Sequence, residues 1–194
     1  IRNCLVGSEM CIRDRWYMGR EIAHVMGYEG IGWLERSERE KEENVSNLIQ
    51  NMRIKSNDII ADIGAGSGYH SFRIALLAKK GLVYAVDIQA EMLMVIEKIK
   101  EFNNITNIET VFGNEISINL AKNSVDKILM VDVYHEFNYP VEMIASIKKA
   151  LKDNGQLFLV EYRSEDSSVP IKKIHKMSEK PVSYTHLTLP TTRG

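Results

Sequence analysis

Asp62-Ile63-Gly64-Ala65-Gly66-Ser67-Gly68-Tyr69 is the stretch that decides the fold of this 194-residue chain. It follows the strand-forming run Ile59-Ile60-Ala61 and opens into an amphipathic segment, residues 70–80. A strand, a glycine turn and a helix N-terminus in succession make a ready cofactor cradle. Backbone N–H groups point outward at such a place, and glycines, which lack Cβ, let a ligand approach closely. Glycine turns are common, so the meaning of this one depends on what lies downstream.

From residue 58 onward strand and helix patterns alternate. Residues 58–63 read as a strand, and 70–80 as a helix with Phe72, Ile74, Ala75, Leu76 and Leu77 available for burial. Residues 82–88 form the second strand, and 90–102 a helix with Met92, Val95, Ile96 and Ile99 at three- to four-residue spacing. Residues 108–112 and 125–133 are further strands. A helix over 140–151 is expected to stop near the turn signal Asp153-Asn154-Gly155, ahead of a fifth strand at 156–162 and another helix at 169–177. Strands separated by helices predict an α/β fold, a doubly wound and mainly parallel sheet with right-handed crossovers. Its ligands belong at the carboxyl ends of the strands, where the glycine turn, Asp87 and residues 131–135 lie. Ahead of the sheet, the charge-dense residues 37–43 predict the start of a solvated helix whose apolar side (Val45, Leu48, Ile49, Met52) packs on the sheet.

Four motifs lie along this frame. Asp62, Ile63, Gly64, Gly66 and Gly68 give an acidic residue, a hydrophobic residue and G-x-G-x-G. A dinucleotide turn is G-x-G-x-x-G, which needs glycine where this chain has Tyr69. Val83-Tyr84-Ala85-Val86-Asp87-Ile88 ends a strand in a carboxylate, the group a nucleoside diol needs as acceptor. Gly113-Asn114-Glu115 follows the third strand, and the fourth runs into Asp132-Val133-Tyr134-His135-Glu136.

Taken in this order, over about residues 59–162, the motifs resemble those of the class I S-adenosylmethionine-dependent methyltransferases, whose fold is Rossmann-like. The resemblance implies that Asp62, Gly64, Ala65, Gly66 and Gly68 wrap the methionine and ribose portions of S-adenosylmethionine. It gives Asp87 the ribose hydroxyls and Ile88 the adenine face. Asn114 stands where the family usually has Asp; its amide oxygen can still accept from the adenine amino group, with Glu115 sharing the role. Asp132 either holds the cofactor's ammonium or caps the following turn. His135 is the first candidate for a general base, because imidazole titrates near neutrality; Glu136 and then Tyr134 stand behind it. A lone histidine is more often structural. The segment lacks Asn-Pro-Pro-Tyr, which counts against methylation of DNA adenine or glutamine.

Residues 16–36 are rich in aromatics and glycines, so Tyr17, His24, Trp33 and Arg36 are candidates to line an acceptor cavity; packing of Trp33 and Met26 on the sheet is the alternative. Lys172, Lys173 and Lys176 read as a solvated helix face, too few for a nucleic-acid groove.

The two ends read differently from the middle. One DNA segment, read on opposite strands, can encode both residues 10–15 and residues 182–186, a pattern resembling the transposon-end adapters of sequencing libraries. Residues 1–15 and 182–194 are therefore expected to be non-native tails. They flank an N-terminal helical or lid segment at 16–57 and a methyltransferase core at 58–181 whose C-terminal strands are expected to be missing. Without the tails both cysteines, Cys4 and Cys11, disappear, and the net charge moves from −1 to −3 as four basic and two acidic residues are lost. No disulfide, thiolate metal site or other metal centre is read from this sequence. The mild acidity gives no nucleic-acid footprint, and no apolar run reaches the roughly 20 residues of a membrane span. The expectation is a cytoplasmic enzyme that methylates a small-molecule acceptor, with oligomeric state open. The alternatives are a non-catalytic adenosylmethionine-fold binding protein and, disfavoured by Tyr69, an NAD(P)-dependent oxidoreductase.

Overall fold

The computed structural model describes residues 15–178 apart from Met18. The expected non-native tail at 182–194, nearly all of that at 1–15, and both cysteines lie outside the described residues.

The chain opens with a two-stranded antiparallel hairpin, β1 (Trp16–Tyr17) and β2 (Arg20–Glu21). Three short helices follow: α1 (Ile31–Leu34), α2 (Arg39–Glu43) and α3 (Val45–Asn51). Then come β3 (Ile59–Ile63), α4 (Tyr69–Ala75), β4 (Leu82–Asp87), α5 (Ala90–Asn103), β5 (Ile108–Phe112), β6 (Val125–Val131), α6 (Pro140–Ala150) and β7 (Leu151–Val160). The five strands β3 to β7 form one sheet in the order β5-β4-β3-β6-β7, every pair parallel. The chain builds outward from β3 through β4 to β5, then returns to the other side of β3 with β6 and β7. That reversal between β3 and β6 is the crevice where a doubly wound sheet binds its ligand.

Alternation along the strands explains why both faces are covered. Along β6, Ile128 and Met130 point into the layer beneath α6, while Leu129 points into the opposite layer with Ile60, Val83 and Ile96. A strand buried on both faces reads as a continuous hydrophobic run, as Ile128 to Val131 does after the charged Asp126 and Lys127. Lys127 is itself buried and paired with Asp58.

The structure departs from the sequence expectations in four places. α4 ends at Ala75, so Leu76 and Leu77 are exposed rather than core residues. The Asn107 side chain donates to the carbonyl of Ala75, the last residue of the shorter helix, and to that of Ala78 in the turn beyond it. Residues 153–155 do not separate α6 from the last strand. β7 starts at Leu151, pairs with Val125, and resumes at Gln156 opposite Lys127 after an irregularity. The charged run 37–43 is not simply solvated: the helix breaks at Asn44 in a left-handed conformation, and Arg39 is buried, stacked 4.3 Å over Tyr69 and bonded to Glu43 and the Leu34 carbonyl. Residues 169–177 are not a helix either. They hold a 3-10 turn, Lys173–His175, and a strand β9 (Lys176–Met177) parallel to β8 (Tyr162–Arg163). Lys176 is buried, donating to the carbonyls of Asp166 and Val169. No helix among the described residues is long and apolar enough to cross a membrane.

Candidate active site

The glycine turn closes on itself before it offers anything to a ligand. The N–H groups of Gly64 and Ala65 both donate to the Val86 carbonyl (2.9 and 3.0 Å), and that of Gly68 donates to Ala65 (2.8 Å). The Gly66 N–H donates to Asp87 Oδ2 at 2.9 Å. These four donors, expected to face outward, are turned inward. What the turn supplies is shape. Gly64 sits at φ +70°, and a Cβ there would fall 2.5 Å from Val133 Cγ2, so only glycine fits between β3 and the end of β6. Gly68 does not reach the cavity wall; its open side is filled by Phe72 and Ile96.

The cavity lies over the carboxyl ends of β3, β4 and β6. Its wall takes in Asp62, Gly64, Ala65 and Gly66 from the turn, Asp87 and Ile88 from β4, and Asn114 and Glu115 after β5. Asp132, Val133 and Glu136 complete it on the β6 side. Of the predicted cofactor residues, all but Gly68 meet on this one surface.

Its carboxylates differ in how they are held. Asp87 is buried; besides Gly66 N–H, it accepts the Gln89 N–H on Oδ1 at 2.9 Å. Burial raises its pKa, and the two backbone donors work against that rise. Asp62, also buried, accepts the Ser71 hydroxyl at 2.7 Å, and burial lifts its pKa to about 6. Asp132 holds a left-handed backbone, φ 55°, pinned by its N–H to the Val160 carbonyl. Its Oδ1 is a buried atom with no hydrogen-bond partner among the described residues, and burial raises the group to about 6 against the pull of His135. Glu136 accepts the Met26 N–H at 3.1 Å and is raised to about 7 by burial. Asn114 accepts the Ile116 N–H, and Glu115 accepts from the Asn138 amide.

His135 is not on the wall. The 3-10 turn Tyr134–Glu136 carries its ring inward, where it is 2% exposed. Nδ1 lies 2.8 Å from Glu161 Oε2, and Nε2 lies 3.1 Å from His175 Nδ1. Burial pulls its pKa down, but Glu161, Asp132 and Glu136 outweigh that and raise it. A histidine one residue from a wall carboxylate reads identically in sequence whichever way the turn rolls. The placement of Glu136 rather than His135 on the cavity is therefore a tertiary result.

The N-terminal segment forms the outer side. Met26, Trp33, Leu34, Arg36 and Arg39 line the cavity; Tyr17 and His24 do not. Trp33 is 53% exposed and stacks with Arg36 (3.9 Å), so it is not packed into the core. The segment is stapled to the sheet by the Gln89 amide to the Met26 carbonyl (2.8 Å), by the Ala23 N–H to the His135 carbonyl (3.1 Å), and by Ser67 donating to Glu35. Several wall residues carry no signal of that placement in the sequence, Leu34, Arg39 and His70 among them. His70, 5% exposed, has an unpartnered Nε2 among the described residues, and burial with the neighbouring Arg39 and Arg73 lowers its pKa to about 3.

With this geometry in view, known proteins give the following likenesses. A family model described as a methyltransferase domain matches residues 54–191. The ubiquinone/menaquinone biosynthesis C-methyltransferase UbiE of Wigglesworthia glossinidia brevipalpis is 29% identical over 105 residues, which is 53% of this chain and 42% of that protein. The tRNA U34 carboxymethyltransferase of Desulfotalea psychrophila is 25% identical over 101 residues, 52% of this chain and 31% of that protein. The chain thus spans less than half the length of these curated relatives. A SAM-dependent methyltransferase from Aquifex aeolicus superposes with a TM-score of 0.76 at 23% identity, over 83% of this chain and 86% of that one, a likeness of fold.

Proposed function

We propose, from the premise that this chain belongs to the methyltransferase-domain family, that it transfers a methyl group from S-adenosylmethionine to a small-molecule acceptor. The observation that carries this reading is a glycine turn with four N–H groups spent internally, set beside a cavity lined by desolvated carboxylates. A dinucleotide's pyrophosphate needs free N–H donors at such a turn. A ligand carrying positive charge needs the carboxylates, and burial, which raises the pKa of Asp62 and Asp132, leaves them short of water. That balance disfavours the oxidoreductase alternative.

Bound there, S-adenosylmethionine supplies a methyl group already activated on a positively charged sulfur. We assign Asp87 to the ribose diol, since each of its oxygens keeps acceptor capacity beyond its one backbone bond. Asp62 and Asp132 are assigned to the ammonium, Ile88 to the adenine face, and Asn114 with Glu115 to the adenine amino group. Gly64, Ala65 and Gly66 form the close wall, and Gly68 supports them from behind. In-line transfer then asks for alignment in a water-poor pocket, which Met26, Trp33 and Leu34 help to close. Glu136 is the wall carboxylate we assign as general base where the acceptor carries a proton. His135, held behind the wall, positions that turn.

A small acceptor is supported by the enclosure and by the quinone-pathway relative; the relative that acts on tRNA places tRNA in the test panel. Calorimetry with adenosylmethionine, adenosylhomocysteine and NAD, followed by a tritiated-methyl assay over phenols, amines, thiols and tRNA, tests the reading. Binding of NAD alone overturns it. Adenosylhomocysteine binding without transfer to any acceptor favours the non-catalytic binding protein instead.

A further inference from the structure

Behind the β6 end of the cavity lies a donor set of which the proposed methyl transfer uses only Asp132 as a ligand-binding group. Asp132 Oδ1, His135 Nδ1 and Glu161 Oε2 all lie within 4.8 Å of one another. Nδ1 is 2.8 Å from Glu161 Oε2 and 3.6 Å from Asp132 Oδ1. Asp132 directly follows β6 and Glu161 directly follows β7, so both stand at the carboxyl ends of adjacent parallel strands, the edge where α/β sheets hold ligands.

Two observations separate this cluster from an ordinary buried His–Glu pair. Asp132 Oδ1 is buried without a hydrogen-bond partner among the described residues. A single proton on Nδ1 can serve Glu161 or Asp132 but not both, so protonation alone leaves one carboxylate oxygen orphaned. The far side of the imidazole is also already tied: Nε2 faces His175 Nδ1 at 3.1 Å. With Nε2–H donated to His175, Nδ1 turns a lone pair toward two carboxylate oxygens, and a cation completes that arrangement. Metal-ligating histidines have this outer support, a partner on the second ring nitrogen that fixes tautomer and orientation.

We propose that Asp132, His135 and Glu161 form a binding site for a first-row divalent cation of the Mn2+ or Zn2+ kind, with His175 as the outer partner of the imidazole. One imidazole nitrogen with two carboxylate oxygens suits such ions, and the spacing of the three atoms closes on bonds of about 2.1 Å with small side-chain shifts. Asp132 is the one member that also lines the cavity, so an ion held on its Oδ1 fixes a carboxylate bordering the proposed cofactor space. The site shares Asp132 with the proposed ammonium contact, and ion binding is measured without cofactor so that the two readings fail separately.

The test is titration of Mn2+ into the full chain, followed by electron paramagnetic resonance of the free ion, with Zn2+ as competitor. One Mn2+ bound per chain and displaced by Zn2+ is expected, with affinity at least tenfold weaker in Asp132→Asn and in Glu161→Gln while circular dichroism reports an intact fold. Absence of saturable binding overturns the site, and so does binding that neither substitution weakens. Adenosylhomocysteine binding, measured on the same protein with chelator present, reports separately on the proposed function.

Discussion

Asp87 and Asp132 are carboxylates at the ends of two strands that flank the glycine turn, and they are built in opposite ways. Asp87 closes β4 in regular conformation with both oxygens bonded to backbone N–H groups. Asp132 leaves β6 in a left-handed conformation with one buried oxygen unpartnered. Nearby bonds repeat the contrast. The turn, Val86 and Asp87 form one closed hydrogen-bonded unit, whereas the β6 end depends on groups from distant segments: Glu161, His175 and the N-terminal Met26. On the β4 side both carboxylate oxygens already have backbone donors, which makes it the finished end. The β6 side carries unspent electrostatics, the feature on which the proposed chemistry and the proposed ion site rest.

The largest effect should come from the hinge between the two ends. Gly64→Ala forces a side chain onto a left-handed residue and against Val133, so unfolding in urea should show a loss of about 3 kcal/mol or more. A loss under about 1 kcal/mol would mean that β6 gives way easily and that the two ends are not rigidly coupled.

Next is the pH response of Asp62, which sits on β3 between them. Its folded pKa is about 6 against an ordinary 3.8, so between these values the native state holds a proton that the unfolded chain releases. This contribution to stability is therefore greatest below pH 4, declines as pH rises, and levels above pH 6, a span on the order of 3 kcal/mol. Asp62→Asn keeps an acceptor for Ser71 and should remove most of that decline. An Asn variant whose pH–stability curve overlays the parent's would show that Asp62 is better solvated than its burial suggests.

Affinity for adenosylhomocysteine then separates the two carboxylates. Asp87→Ala should weaken calorimetric binding by about 30-fold, about 2 kcal/mol, because charged hydrogen bonds are lost and the Gly66 N–H is stranded. Unchanged affinity would remove Asp87 from the site. Asp132→Asn, whose side chain is 36% exposed, should cost only about threefold, under 1 kcal/mol after solvent screening, measured in the presence of chelator. If Asp132→Asn costs more than Asp87→Ala, the finished and unspent ends are assigned the wrong way round.

Much of the socket was legible in the sequence because its parts are contiguous. Gly64, Gly66 and Asp87 each belong to a strand-and-turn motif whose geometry follows from local spacing, and the structure gathers them where the strand ends meet. The β6 end was legible only as a collection of reactive residue types. Sequence placed His135 and Glu136 side by side without telling which would face the cavity, because a 3-10 turn rotates neighbours by about 120°, and packing selects the rotation. Glu161 read as part of a strand, and His175 as part of a helix that the structure replaces with a turn and a short strand. Arg39 carried no sign of burial, since its partners Tyr69 and Leu34 come from other segments.

By itself the sequence determined the alternation of strands and helices, the glycine turn, and the carboxylate closing β4, because hydrophobic period and glycine's backbone freedom act over a few residues. Tertiary structure alone decided that the turn's N–H groups point inward, that Gly68 packs behind the wall, and that Glu136 rather than His135 meets the cavity. It also brought Asp132, His135 and Glu161 together. Most of those outcomes depend on contacts between residues 20 to more than 100 positions apart, where burial and hydrogen-bond satisfaction are settled across the whole packed sheet rather than along the chain.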